Sequence, residues 1–75
     1  MADKPLGIAV IGAGRIGTLR ARLASKHPSV GFLAISDINL DKAKTLAETC
    51  NANFYSDNNE EVISRPEVNA VIVST

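Results

Sequence analysis

Residues 6–17 read LGIAVIGAGRIG, an apolar run of strand length that leads into three closely spaced glycines. The run does not alternate between polar and apolar residues, which is typical of a parallel strand covered on both faces. Gly12, Gly14 and Gly17 then follow in the spacing GxGxxG, the pattern of a turn that carries a strand into a helix and binds a pyrophosphate. The stretch therefore predicts a strand, a phosphate-binding turn and a helix, in that order.

The three glycines have different tasks in such a turn. Gly12 can adopt a backbone conformation that a β-carbon would penalise. Gly14 lets a diphosphate approach the main chain, where the N–H groups of Arg15 and Ile16 and the helix dipole favour negative charge. Gly17 costs about 1 kcal/mol of helix propensity relative to alanine, which makes sense where the helix presses against the strand. The Arg15 side chain has two open interpretations, contact along the diphosphate or extension into solvent.

The residues that follow fit the same unit. Ile16, Leu19 and Leu23 recur on one face of a helix, and Asp37 ends a second apolar run. An acid at that point can accept hydrogen bonds from the adenosine ribose. Because a carboxylate repels a 2′-phosphate and no arginine follows directly, the sequence favours NAD over NADP. Lys42 could instead contact a phosphate, and this alternative stays open. The alternative to a nucleotide site as a whole is a purely structural turn followed by an aspartate on the surface.

Composition narrows the classes of protein. The chain has 75 residues, a formal charge of zero and 45% hydrophobic residues, which suits a single small globular domain and gives no basic stripe for nucleic acid. No apolar run reaches the roughly 20 residues that span a bilayer. The first residues lack the features of a signal peptide, so we expect a cytoplasmic protein. One cysteine and no cluster with metal-ligand spacing predict neither an internal disulfide nor a metal site.

Predicted strands and helices alternate along the chain. They are a strand at 6–11, a helix at 15–26, a strand at 30–36, a helix from Asn39 or Leu40 to Asn51, a short strand at 53–55, a short helix begun by Asp57, and a buried strand at 70–74. Alternation predicts an α/β fold with a parallel sheet. Right-handed crossovers give the Rossmann strand order 3-2-1-4, which brings the glycine turn and Ser74-Thr75 to one crevice.

Two further expectations concern packing. In the second helix, Ala43, Leu46, Ala47 and Cys50 share the face toward the sheet, so Cys50 is a core residue rather than a reactive thiol. The last strand is an apolar edge that a finished domain would cover or pair. We therefore expect residues 1–75 to be the N-terminal part of a dinucleotide-binding domain, with the substrate domain outside this chain.

Several segments resemble the N-terminus of the Gfo/Idh/MocA oxidoreductases. They are IGAGRIG at 11–17, ARLA at 21–24, AISD at 34–37, KAKTLAE at 42–48, YSD at 55–57 and PEVNAVIVST at 66–75. The resemblance implies cofactor contacts at Gly12, Gly14, Arg15, Ile16, Gly17, Asp37, Ser74 and Thr75. Many members have a histidine where this chain has Arg20. The family's catalytic lysine, in an EKP motif, would lie beyond Thr75, so no catalytic residue is assigned.

The resemblance also implies an activity. The family comprises NAD(P)-dependent dehydrogenases, so the parent protein would transfer hydride between a nicotinamide and a secondary alcohol of an inositol, sugar or related polyol. We expect a homo-oligomer with a small-molecule substrate and no nucleic-acid or membrane partner, and no turnover by the 75-residue chain alone. Two alternatives stay open: a nucleotide-sensing module without catalysis, and a fragment that self-associates through its last strand.

Overall fold

The computed structural model describes residues 6–74 and contains seven elements. They are β1 (Leu6–Ile11), α1 (Arg15–Lys26), β2 (Val30–Ser36), α2 (Leu40–Cys50), β3 (Phe54–Ser56), α3 (Asn59–Ile63) and β4 (Ala70–Val73). The four strands form one parallel sheet in the order β3-β2-β1-β4. The predicted α/β fold class and strand order are confirmed.

The register of the sheet brings three strand ends together. Ile11 pairs with Ser36 of β2 on one side and with Val73 of β4 on the other. The hydrogen bonds continue one residue further, from Gly12 N to Ser36 O at 2.7 Å and from Ser74 N to Ile11 O at 2.8 Å. Gly12, Asp37 and Ser74 thus all follow directly from neighbouring strand ends.

Two small cores hold the helices on the sheet. One lies beneath α1 and α2 and includes Ile8, Val10, Leu33 and Ile35 from the strands. The other lies on the opposite face, because side chains alternate along β1, and consists of Ala9, Ile11, Ala34 and Val62. Val62 of α3 is fully buried in it. The sheet is therefore covered by two helices on one face and by a single short helix on the other.

The predictions for α2 are confirmed. The Asn39 side chain accepts a hydrogen bond from Lys42 N and begins the helix, and Asn51 ends it with a left-handed φ of 55°. The buried residues are the expected Ala43, Leu46, Ala47 and Cys50. Burial raises the pKa of the Cys50 thiol, which agrees with a core residue that stays protonated.

The apolar face of α1 is not the face that packs on the sheet. Ile16, Leu19 and Leu23 are 57%, 60% and 64% exposed. The buried residues of this helix are Gly17, Ala21 and Ala24. The reason is distance: a β-carbon at Gly17 would lie 1.8 Å from the carbonyl oxygen of Gly12, so the helix approaches the sheet along a stripe of small residues.

The end of the chain also differs from prediction. The α3 helix is capped by Asn58, whose Oδ1 accepts from Glu60 N at 2.9 Å, and not by Asp57. The β3 strand begins one residue later than predicted. The β4 strand is half covered rather than buried, with Val71 and Val73 exposed on the face of the sheet that carries α3. With five residues, α3 reaches β1, β2 and β3 and leaves that side of β4 uncovered.

Within residues 6–74 there is no helix with the length and apolar character needed to cross a bilayer.

Candidate functional site

In the glycine turn, the backbone requires glycine at positions 12 and 17, whereas position 14 between them faces open space. Gly12 has a φ of 101°, in the region that favours glycine. Gly17 is required by its approach to the Gly12 carbonyl. At Gly14, by contrast, a β-carbon would meet no described atom within 4 Å. The fold itself does not need glycine at position 14, so the open space beside it is available to a ligand.

The N-terminus of α1 meets this open space. The first helical hydrogen bond runs from Thr18 N to Gly14 O at 2.8 Å, so the N–H groups before Thr18 have no carbonyl partner within the helix. Among the described residues, no side chain caps this helix, and its first turn has no acidic residue. The side chains of Arg15 and Ile16 are exposed. Their backbone N–H groups form the kind of helix terminus that binds anions.

The Asp37 carboxylate is fixed against the glycine turn. Its Oδ2 accepts a hydrogen bond from Ala13 N at 2.7 Å, and its Oδ1 accepts from Asn39 N at 2.8 Å. The hydrogen bond from Ala13 N is the main reason that the pKa of Asp37 is lowered. Burial, the second-largest effect, raises this pKa, and the hydrogen bond from Asn39 N and the charge of Lys42 lower it further. An ionised carboxylate therefore stands beside the turn, and each oxygen keeps further capacity to accept hydrogen bonds.

Ser74 completes the side formed by β4. Its backbone is held by Ile11 O, while its buried Oγ has no hydrogen-bond partner among the described residues. A buried hydroxyl without a partner costs free energy, so this atom fits a site whose ligand supplies the partner. The predicted contact at Thr75 lies outside the described residues.

These groups border one cleft of about 520 Å³. Its lining residues are Ile11, Gly12, Gly14, Asp37, Ile38, Asn39, Lys42, Asn59 and Ser74. The structure thus brings together four of the predicted site residues. Gly17 supports the turn from behind, and the side chains of Arg15 and Ile16 are not part of the lining.

Sequence reasoning did not identify Ile38, Asn39 and Asn59 as part of this cleft. Ile38 carried a signal in its place along the sequence, as an apolar residue directly after the predicted acid Asp37. In the structure it is 92% exposed. Asn39 was predicted only as a possible start of the second helix. Asn59 carried no signal, since its place depends on where α3 crosses the sheet.

Comparison with known proteins settles the family. The sequence profile of the Gfo/Idh/MocA oxidoreductases, described as an oxidoreductase family with an NAD-binding Rossmann fold, matches residues 6–75. The chain belongs to this family. The resemblance predicted from the sequence is confirmed, and the described residues have the Rossmann fold of this family.

Individual relatives agree with this membership. The chain is 38% identical over 72 residues to inositol 2-dehydrogenase from Gluconacetobacter diazotrophicus, a match that covers 93% of this chain and 21% of that protein. The crystal structure of GenD2 from gentamicin A biosynthesis, in complex with NAD, superposes with a TM-score of 0.87 at 25% identity. That match covers 100% of this chain and 21% of GenD2.

A third similarity concerns the fold alone. A putative NADPH-dependent oxidoreductase from Desulfitobacterium hafniense DCB-2 superposes with a TM-score of 0.85 at 23% identity, over 99% of this chain and 21% of that one. The chain thus spans about a fifth of the length of the relatives it matches.

Proposed function

We propose that the cleft at the carboxyl ends of β1, β2 and β4 binds the adenosine and diphosphate part of NAD. The observation that carries the proposal is the hydrogen bond between Ala13 N and Asp37 Oδ2, which sets an ionised carboxylate directly beside the glycine turn. In a dinucleotide, a diphosphate and a ribose are covalent neighbours within one molecule, so the groups that bind them must also be neighbours. Few other ligands need an anion-binding helix terminus and a hydroxyl-binding carboxylate side by side.

Each site residue has a proposed role. The backbone N–H groups of Arg15 and Ile16 bind the diphosphate, which approaches through the open space at Gly14. Asp37 accepts hydrogen bonds from the ribose hydroxyls. Ser74 Oγ gains from the ligand the partner that it lacks within residues 6–74, and Thr75 is proposed as a further cofactor contact. Gly12 and Gly17 keep the turn in shape.

The same carboxylate favours NAD over NADP. The 2′-phosphate of NADP would bring negative charge next to the ionised Asp37. Repulsion between like charges disfavours NADP relative to NAD. Lys42 also lines the cleft and interacts with Asp37 by its charge. We propose that this lysine offsets part of the repulsion without reversing the preference.

For the longer protein, we propose a dehydrogenase of a polyol, with an inositol or a sugar as the substrate class. Support comes from family membership and from the inositol 2-dehydrogenase relative. The bound nicotinamide would accept or donate the hydride. Residues 6–74 would orient the cofactor through its adenosine and diphosphate, and the acid and base groups would come from elsewhere. The isolated chain is therefore proposed to bind cofactor without turnover, and the parent to be a cytoplasmic homo-oligomer.

Thermal melting of the 75-residue chain tests cofactor binding. A ligand that binds only the folded state raises the melting temperature, and at equal concentration the more tightly bound ligand raises it more. We expect NAD to raise it, NADP to raise it less, and nicotinamide mononucleotide, which lacks the adenosine, to have the least effect. In Asp37→Ala the difference between NAD and NADP should shrink. A melting temperature that NAD leaves unchanged would refute the proposal.

The exposed edge of the sheet favours a second candidate, self-association. Val71 and Val73 of β4 are exposed, and one side of this strand pairs with no strand within residues 6–74. Edges of this kind pair with other chains. Light scattering that shows a dimer, together with no response to NAD, would favour this reading over cofactor binding.

A further inference from the structure

The lining of the cleft includes a polar side chain that the proposed function has not used. Asn59, the first residue of α3, lines the cleft together with Asp37 and Ile38. We propose that Asn59 is a specificity-determining residue, whose side-chain amide donates a hydrogen bond to the adenosine half of the bound dinucleotide. The inference rests on the proposed function and adds to it a residue that recognises the nucleoside.

The orientation of Asn59 is fixed from inside the protein. Ser36, the last residue of β2, is fully buried, and its Oγ donates a hydrogen bond to Asn59 Oδ1. A buried hydroxyl needs a partner, so this contact holds the oxygen end of the amide toward the sheet. The nitrogen end, on the other side of the same planar group, must then point away from Ser36.

That nitrogen end is available to a ligand. Among residues 6–74, Asn59 Nδ2 donates no hydrogen bond, and Asn59 is an exposed residue of the cleft lining. An amide whose rotamer is already held by a buried neighbour loses little freedom when it binds a ligand. Asn59 is therefore a preorganised donor.

The chemistry of the neighbouring groups explains why a donor is useful here. The ionised Asp37 can only accept hydrogen bonds. An adenosine presents hydroxyl donors, which suit Asp37, and also acceptors, on the ribose oxygens and the purine ring nitrogens. Asn59 supplies the complement to those acceptors, while the exposed Ile38 beside it offers an apolar surface to the base.

Calorimetric titration of the 75-residue chain with ADP-ribose tests the inference, because this probe has the adenosine and diphosphate but no nicotinamide. We expect Asn59→Ala to weaken binding roughly three- to tenfold, the range of one hydrogen bond. Asn59→Asp keeps an oxygen for Ser36, removes the donor and adds a negative charge beside an anionic ligand, so it should weaken binding more than Asn59→Ala does. If Asn59→Ala does not fold, parent-like affinity in this second variant still overturns the inference.

The neighbouring asparagine provides a matched control. Asn58 caps α3 through its Oδ1 and does not line the cleft, so Asn58→Ala should lower stability and leave the affinity for ADP-ribose within about twofold of the parent chain. Equal losses of affinity in Asn58→Ala and Asn59→Ala would show a structural role and overturn the inference. So would parent-like affinity in Asn59→Asp. If the unmodified chain does not bind ADP-ribose, the proposed function itself is wrong.

Discussion

At the scale of single residues, Asp37 links the glycine turn to the start of α2. Its two oxygens accept from Ala13 N and Asn39 N, one on each element. The carboxylate therefore organises the site before any ligand binds. Asparagine in its place has one acceptor oxygen, so one of the two N–H groups would lose its partner.

This contact predicts a pH dependence of stability. Because hydrogen bonds lower the pKa of Asp37 in the folded chain, its contribution is present above the ordinary value of 3.8 and is lost as the pH falls through the folded value. Urea unfolding should show Asp37→Asn less stable than the parent near neutral pH, with the difference shrinking on acidification. A difference that stays constant down to about pH 3 would contradict the assignment.

The glycines predict opposite outcomes of the same substitution. Gly17→Ala places a β-carbon 1.8 Å from a backbone oxygen and should cost about 2 kcal/mol or more. Gly14→Ala meets open space, so the free energy of unfolding should stay within about 1 kcal/mol of the parent, while NAD binding weakens. Denaturant unfolding and NAD titration of both variants separate the two roles. Comparable stability losses would show that both glycines serve the fold alone.

The site residues that the sequence identifies belong to a local pattern, whereas those that only the structure reveals depend on contacts between distant parts of the chain. Gly12, Gly17 and Asp37 belong to a local pattern whose spacing encodes the turn. Gly7 does not: its neighbour is the carbonyl of Glu67, from which a β-carbon would lie 1.7 Å. Asn59 likewise depends on Ser36. Contacts between residues so distant along the chain leave no local signature.

At the scale of elements, α1 shows that apolar periodicity predicts a helix more securely than it predicts the packed face. The bounds at Arg15 and Lys26 are those expected, yet the small residues face the sheet. Close approach at Gly17 excludes larger side chains from the contact. Ile16, Leu19 and Leu23 form an apolar surface that no described residue covers sufficiently to bury it.

The two faces of α1 should respond differently to substitution. Leu19→Gln on the exposed face should change the free energy of unfolding by no more than about 0.5 kcal/mol. Ala21→Leu, at a fully buried position, should cost about 1–3 kcal/mol of stability because the larger side chain overpacks the contact between α1 and the sheet. Urea unfolding measures both. A larger loss of stability in Leu19→Gln than in Ala21→Leu would show that the face predicted from the apolar periodicity is the one that packs on the sheet.

The start of α3 gives a second element-scale prediction. Since Asn58 provides the cap, Asn58→Ala should cost about 1 kcal/mol, whereas Asp57→Ala should have a smaller effect. Comparison of the two variants by thermal unfolding checks the corrected boundary. A larger loss in Asp57→Ala would favour the capping residue expected from the sequence.

At the scale of the whole molecule, the topology followed from few rules. Alternating elements and right-handed crossovers led to the order β3-β2-β1-β4, which in turn places Gly12, Asp37 and Ser74 at adjacent strand ends. The burial of β4 did not follow, because it depends on what covers the sheet rather than on the strand. Its apolar sequence indicated two covered faces, and α3 is too short to provide the second.

The central claim is that the glycine turn and Asp37 form one dinucleotide site, and a two-dimensional amide NMR titration with NAD tests it most directly. We predict that the largest shifts fall on the backbone amides of residues 13–17 and on those of Asp37 and Ser74, and that Asp37→Ala reduces them at equal ligand concentration. Shifts absent from the glycine turn, or confined to the exposed face of α1, would contradict the account.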